Sequence, residues 1–231
     1  MQDFIFYSEL GLFHVLDWKA YDHLLFLAAL TLPFSFREMK TVFWLVTLFT
    51  FGHTFSLVLS AFEIYSPSEK LIELLIPVTI LIAALSNIIR DKRYGSSKNL
   101  EFGFSLFFGL IHGFGLSTRL QQLPLGEKGS TMLGRIISFN IGVELGQIVA
   151  LTIMLFILST FRKMDFFKRF SKIANDGLIL AGFMLLLMQL HGYLHTSNPD
   201  EFGFSEDNHY HHHMKMDQLK NIDASTPHDN L

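Results

Sequence analysis

The chain has 231 residues, 50% of them hydrophobic and 25 of them Phe, with a mean hydropathy of +0.34 and a formal net charge of −3. Only 17% are charged, against about 25% in soluble domains. The lack of cysteine excludes disulfides and thiolate metal sites. The charges collect in short runs, Arg37-Glu38-Met39-Lys40, Arg90-Asp91-Lys92-Arg93 and Arg162-Lys163, with long apolar stretches between them. That is the distribution of a polytopic membrane protein, with the lipid bilayer as its main partner and no nucleic acid.

Six apolar stretches follow in chain order, at 11–33, 41–62, 71–90, 102–120, 134–160 and 173–195. Each is near the ~20 residues that cross ~30 Å of hydrocarbon as a helix. Helices of this length satisfy their own backbone, whereas barrel strands would be about half as long. The expectation is an all-α bundle of six transmembrane helices over residues 1–195. Pro77 falls inside the third span and predicts a kink there. No cleavable signal peptide is expected, because Met1–Glu9 lacks a basic region followed by an apolar one. After His195 the composition turns polar, with a His-Tyr-His-His-His cluster at 209–213, and residues 196–231 read as a disordered tail.

Orientation follows the loop cations. Eleven Lys and Arg fall in loops 34–40, 90–101 and 161–172, against six on the opposite side. This places both termini outside the cytoplasm.

On that topology the polar residues within the spans share a depth. His14, Asp22 and His23 lie in the first half of a helix running inward. His53 and His112 lie late in helices running outward. Asn140, Glu144 and Gln147 lie early in the fifth span, and His191 and His195 end the sixth. All fall in the outer half of the bilayer or near mid-depth. At about 100° per residue, Asn140, Glu144 and Gln147 form one stripe, and Thr47, Thr50 and His53 another. Gly109 and Gly113 around His112, and Gly142 and Gly146 around Glu144, have the spacing that lets helix backbones approach closely. Such an approach between the fourth and fifth spans would bring Glu144 near His112.

A charged side chain at mid-membrane costs about 2.5–3.5 kcal/mol on insertion scales, so Asp22 and Glu144 are kept only if paired, hydrated or bound to metal. Imidazole and carboxylate are the ligands that suit first-row divalent ions. His14, Asp22, His23, His53, His112 and Glu144 are the candidate ligands, with Asn140, Gln147 and His191 supporting them. Taken singly, each of these residues fits a packing seam; their common depth favours a site. Asp17 reads as interfacial. Met184 and Met188 read as packing residues rather than copper ligands. The tail histidines could gather ions or simply be solvated.

Four of these segments, "HVLDWKAYDHLLFLAAL", "TLFTFGHTFSLVLS", "FFGLIHGFGLS" and "FNIGVELGQI", resemble in order the signature segments of the HupE/UreJ family. These are small bacterial membrane proteins associated with hydrogenase and urease maturation and generally regarded as nickel or cobalt permeases. The resemblance covers residues 8–160. It implies metal binding at His14, Asp22 and His23, matches His53 and His112 to the family's later His segments, and matches Glu144 and Gln147 to its acidic segment. It also implies a bacterial inner-membrane location.

The first reading is therefore a permease for divalent nickel or cobalt. No ATP-binding loop is present, so any drive comes from the ion gradient, the membrane potential or protons. A second reading is an intramembrane zinc-dependent hydrolase using the same residues; no His-Glu-x-x-His or nucleophilic Ser motif accompanies it. A third is a membrane scaffold, and a homo-oligomer is compatible with all three. No polar ladder is evident in the inner half of the bilayer.

Overall fold

The computed structural model describes residues 2–17, 21–92, 98–121 and 129–197. Among the described residues every regular element is helical. The helices are α1 (Gln2–Leu16), α2 (Tyr21–Thr31), a short 3₁₀ turn (Phe36–Glu38), α3 (Met39–Ala61), α4 (Glu69–Lys92), α5 (Lys98–Gln121), α6 (Ser130–Phe161) and α7 (Phe167–Ser197). Among the described residues, four helical segments are long and apolar enough to cross a membrane: Phe36–Ala61, Glu69–Ile88, Ser130–Phe161 and Phe167–Leu194.

The expected single first span over 11–33 is replaced by two helices of 15 and 11 residues. At 1.5 Å per residue neither alone reaches ~30 Å. Together they run parallel to the 32-residue α6. Arg135 binds Asp3 at 2.7 Å near one end, Thr31 meets Met154 further along, and Arg162 donates to the Phe34 carbonyl at 2.7 Å at the other end. Glu38 starts α3 by accepting hydrogen bonds from the Ser35 amide and hydroxyl, both at 3.0 Å. After Ala61 the chain turns at Glu63, whose φ of 59° lets the following amides reach back to helix carbonyls. Pro77 lies within α4.

The helices lock in two tight pairs. Added Cβ atoms on Gly142 and Gly11 of α6 and α1 would overlap the Ser8 and Phe139 carbonyls of the partner helix, and those on Gly109 and Gly52 would overlap the Phe49 and Leu106 carbonyls. The close approaches are therefore α1 with α6 and α3 with α5, not α5 with α6 as the glycine spacing suggested. Spacing marks a surface that admits a backbone but does not name the partner.

The chain divides into two units, Met1–Gln189 and Leu190–Leu231. Within the second, the described residues are the last turns of α7. The tail beyond Ser197, with its histidine cluster, lies outside the described residues. Met184 and Met188, expected to pack, are exposed on α7 at 52% and 63%.

Candidate metal centre

The helix change between Leu16 and Tyr21 sets the position of the first three candidates. His14 sits in the last turn of α1, and Asp22 and His23 sit in the first turn of α2. An acid there is favoured by the unpaired amides and positive dipole end of the helix. The Asp22 carboxylate accepts from the His23 amide at 2.9 Å and from His23 Nδ1 at 3.0 Å. Its side chain is 30% exposed, so the acid opens outward from an otherwise closed cluster.

Four helices, α1, α2, α3 and α5, converge on this point. One potential ligand atom from each of His14, His23 and His53 lies within 4.8 Å of the others, and the same holds for Asp22, His23 and His112. His23 belongs to both groups. Its ring centroid is 4.8 Å from that of His14, 5.2 Å from that of His112 and 6.4 Å from that of His53. A metal bound at ~2.0–2.2 Å draws its ligand atoms closer than this.

Hydrogen bonds settle which nitrogen of each buried ring is available. A carboxylate only accepts, so His23 Nδ1 carries the proton toward Asp22. The Asn140 amide nitrogen donates to the Ile136 carbonyl at 2.8 Å, which turns its Oδ1 toward His53, and Nδ1 of His53 donates to it at 2.8 Å. The Thr79 hydroxyl donates to the Ile76 carbonyl at 2.6 Å, so its oxygen accepts from Nε2 of His112 at 3.1 Å. The remaining nitrogens, Nε2 of His23, Nε2 of His53 and Nδ1 of His112, are buried and accept no hydrogen bond. Each bare buried polar atom costs about 1–3 kcal/mol. Three of them, on His23 and on two rings that adjoin it at 5.2 and 6.4 Å, are costly unless something fills the space between. A ligating imidazole has this same form, with one ring nitrogen donating to a carboxylate, amide or hydroxyl and the other presenting a lone pair.

Phe26 and Phe49 wall the cluster. Their rings lie 5.6 and 5.3 Å from that of His112, and Phe49 stacks on His53 at 6.2 Å. The apolar wall lowers the local dielectric and strengthens the hold of one carboxylate and neutral imidazoles on a dication.

The other candidates lie elsewhere. Glu144 is in neither group; it accepts from the Thr47 hydroxyl at 2.8 Å. Gln147 accepts from Thr50 at 2.9 Å, so the α3–α6 contact continues as a polar seam beyond His53 and Asn140. Asp17 is exposed and outside both groups, and His191 is exposed in the second unit. Thr79 was not singled out from the sequence. Its one signal was a hydroxyl two residues after Pro77 in an apolar helix, and nothing there tells which neighbour it faces.

A family model described as HupE / UreJ protein matches residues 1–197. No curated protein and no solved structure matches the chain.

Proposed function

The chain belongs to the HupE/UreJ family, and from that premise we propose that it is a membrane permease for a divalent first-row metal, nickel or cobalt. The observation that carries this reading is the set of three bare imidazole nitrogens, buried together and each fixed by a hydrogen bond on the far side of its ring. Imidazole nitrogen with a single carboxylate suits such an ion, and the absence of thiolate disfavours softer ones.

In this reading α1 and α2 form one interrupted crossing, so that six crossings place both termini outside the cytoplasm in the bacterial inner membrane. The ion enters past Asp22, which is partly exposed. It exchanges water for the nitrogens of His14, His23, His53 and His112, while Asp22 offsets part of its charge. Glu144, held by Thr47 in the seam below, supplies a second negative charge toward the exit. The seam through Thr47, Thr50, Glu144 and Gln147 carries polar atoms onward from the cluster along α3 and α6.

Nickel uptake by proteoliposomes tests the reading. Wild-type protein is expected to take up Ni²⁺. Asp22→Asn and His112→Ala are expected to lower uptake about 10–100-fold, the range seen when metal sites lose a supporting group. Zinc held tightly at one per chain without flux of any metal would favour the hydrolase instead. Unchanged binding and flux in both variants would leave a scaffold.

A further inference from the structure

The two tight helix pairs are copies of each other. A shift of 98 positions carries Ser8, Gly11, Leu12 and His14 of α1 onto Leu106, Gly109, Leu110 and His112 of α5. A shift of 90 carries Phe49, Gly52 and Ser56 of α3 onto Phe139, Gly142 and Gly146 of α6. Under these shifts the close contacts coincide atom for atom. Gly11 abuts the Phe139 carbonyl, and Gly109 abuts the Phe49 carbonyl. Gly142 meets the Ser8 carbonyl and the Leu12 amide, and Gly52 meets the Leu106 carbonyl and the Leu110 amide. The small residue even changes sides at the next turn, with Gly146 against Val15 and Gly113 against Ser56. Further out, the Tyr7–Arg135 contact of one pair stands where the Ser105–Leu45 hydrogen bond stands in the other. The sequence retains little of this beyond Gly-Leu-Phe-His at 11–14 and Gly-Leu-Ile-His at 109–112.

Within each pair the helices run parallel, because contacts advance together along both chains. Between the pairs they run antiparallel: His53 meets Asn140 while Thr47 meets Glu144. Two like units in opposite directions are an inverted repeat, the architecture in which a carrier site lies at the repeat interface and interrupted helices line it. The cluster has that placement. His14 and His112 are repeat mates, and their rings flank His23 at 4.8 and 5.2 Å. The interrupted segment, α1 to α2, supplies the acid. The repeat is broken in the ligands, since the positions matching Asp22 and His23 are Leu120 and Gln121.

We propose that the two glycine-locked pairs, α1 with α6 and α3 with α5, move as rigid arms, and that exchanging their conformations exposes the His23 cluster first to one side of the membrane and then to the other. This deepens the permease reading and rests on it. Backbone contact through glycine makes each arm stiff. The α3–α6 seam between the arms is joined by side-chain hydrogen bonds that can be exchanged, and an apolar groove lined by Val42, Phe43, Ile148 and Leu155 already parts the arms at one end. A hydrolase holding one metal at a fixed depth has no need of the second arm.

The chain has no cysteine, so introduced pairs are its only thiols. Spin labels on full-length protein in lipid would report four distances. Ile5→Cys with Leu133→Cys and Phe43→Cys with Phe104→Cys lie within the arms. Phe55→Cys with Ile137→Cys and Trp44→Cys with Ile153→Cys span the two ends of the seam. All eight side chains are exposed. The expected result is a single, unchanging distance within each arm. Across the seam two populations are expected, one end lengthening as the other shortens when Ni²⁺ is added. Seam distances that stay single and unchanged with and without Ni²⁺, or arm distances that shift as much as seam distances, overturn the proposal. Ni²⁺ binding by calorimetry on the same proteins separates the two ideas. Binding with a static seam sinks the rigid arms and leaves the metal site, whereas reciprocal seam populations without binding sink the metal reading and leave the arms.

Discussion

The Nδ1 of His53 donates to the Oδ1 of Asn140 at 2.8 Å, deep in a helix interface where His53 has no exposed surface. The bond fixes the tautomer and leaves Nε2 as the lone pair that faces the cluster. Asn140→Leu keeps the approximate volume but frees the ring, and is expected to weaken Ni²⁺ binding about 10–100-fold. Asn140→Asp, which still accepts, is expected to retain most of it. Calorimetric titration of the purified variants, with helix content as the check on folding, measures the difference.

Thr79 does for His112 what Asn140 does for His53. Thr79→Val removes the acceptor at 3.1 Å without changing shape, and is expected to weaken binding by a similar factor. Thr79→Ser restores the hydroxyl and is expected to restore affinity. Loss in both variants alike would mean that packing of α4 against α5, not the ring bond, is at stake.

Protons and metal compete for the same nitrogen lone pairs. Metal binds only the neutral imidazole, so protonating the rings at low pH must weaken binding. Affinity is expected to hold where the rings are neutral and to fall as acid protonates them. Calorimetric Ni²⁺ titrations at stepped pH measure the fall, with helix content as the check on folding. Affinity that stays flat down to the most acid pH at which the helices persist would mean that the histidines are not the ligands.

Glu144 and Asp22 are expected to separate. Asp22 shares a group with His23 and His112, whereas Glu144 bonds Thr47 outside both groups. Glu144→Gln is expected to leave Ni²⁺ affinity near the wild-type value while slowing flux, and Asp22→Asn to lower both. Equilibrium dialysis with ⁶³Ni²⁺, beside vesicle uptake, distinguishes them.

The glycines divide in the same way. A methyl at Gly142 meets the Ser8 carbonyl and one at Gly109 the Phe49 carbonyl, while nothing lies within 4 Å of Gly134. Gly142→Ala and Gly109→Ala are each expected to cost about 1–3 kcal/mol, the usual range for overpacking. Gly134→Ala is expected to be neutral or slightly stabilising, since alanine is the better helix former. Thermal unfolding in one detergent compares all three.

Much of this protein was legible in the residues themselves. Apolar runs of membrane length, divided by cationic loops, specified long helices, because the bilayer imposes a length and a hydropathy that composition alone reveals. The cost of acids and imidazoles in such runs marked Asp22, His23, His53 and His112, and all four meet around His23. The glycine spacing announced close helix contacts, again because a missing side chain is visible in one dimension.

Partnership was not legible. The spacing around Gly109 and Gly142 fits any helix with a matching groove, and only the packed chain chose α3 for one and α1 for the other. The division of the first apolar stretch at Leu16 and Tyr21, the pairing of Thr79 with His112 and the removal of Glu144 from the cluster are decided in the same way. Each depends on which face of a helix meets which neighbour, and a sequence states the faces of a helix without stating what lies opposite.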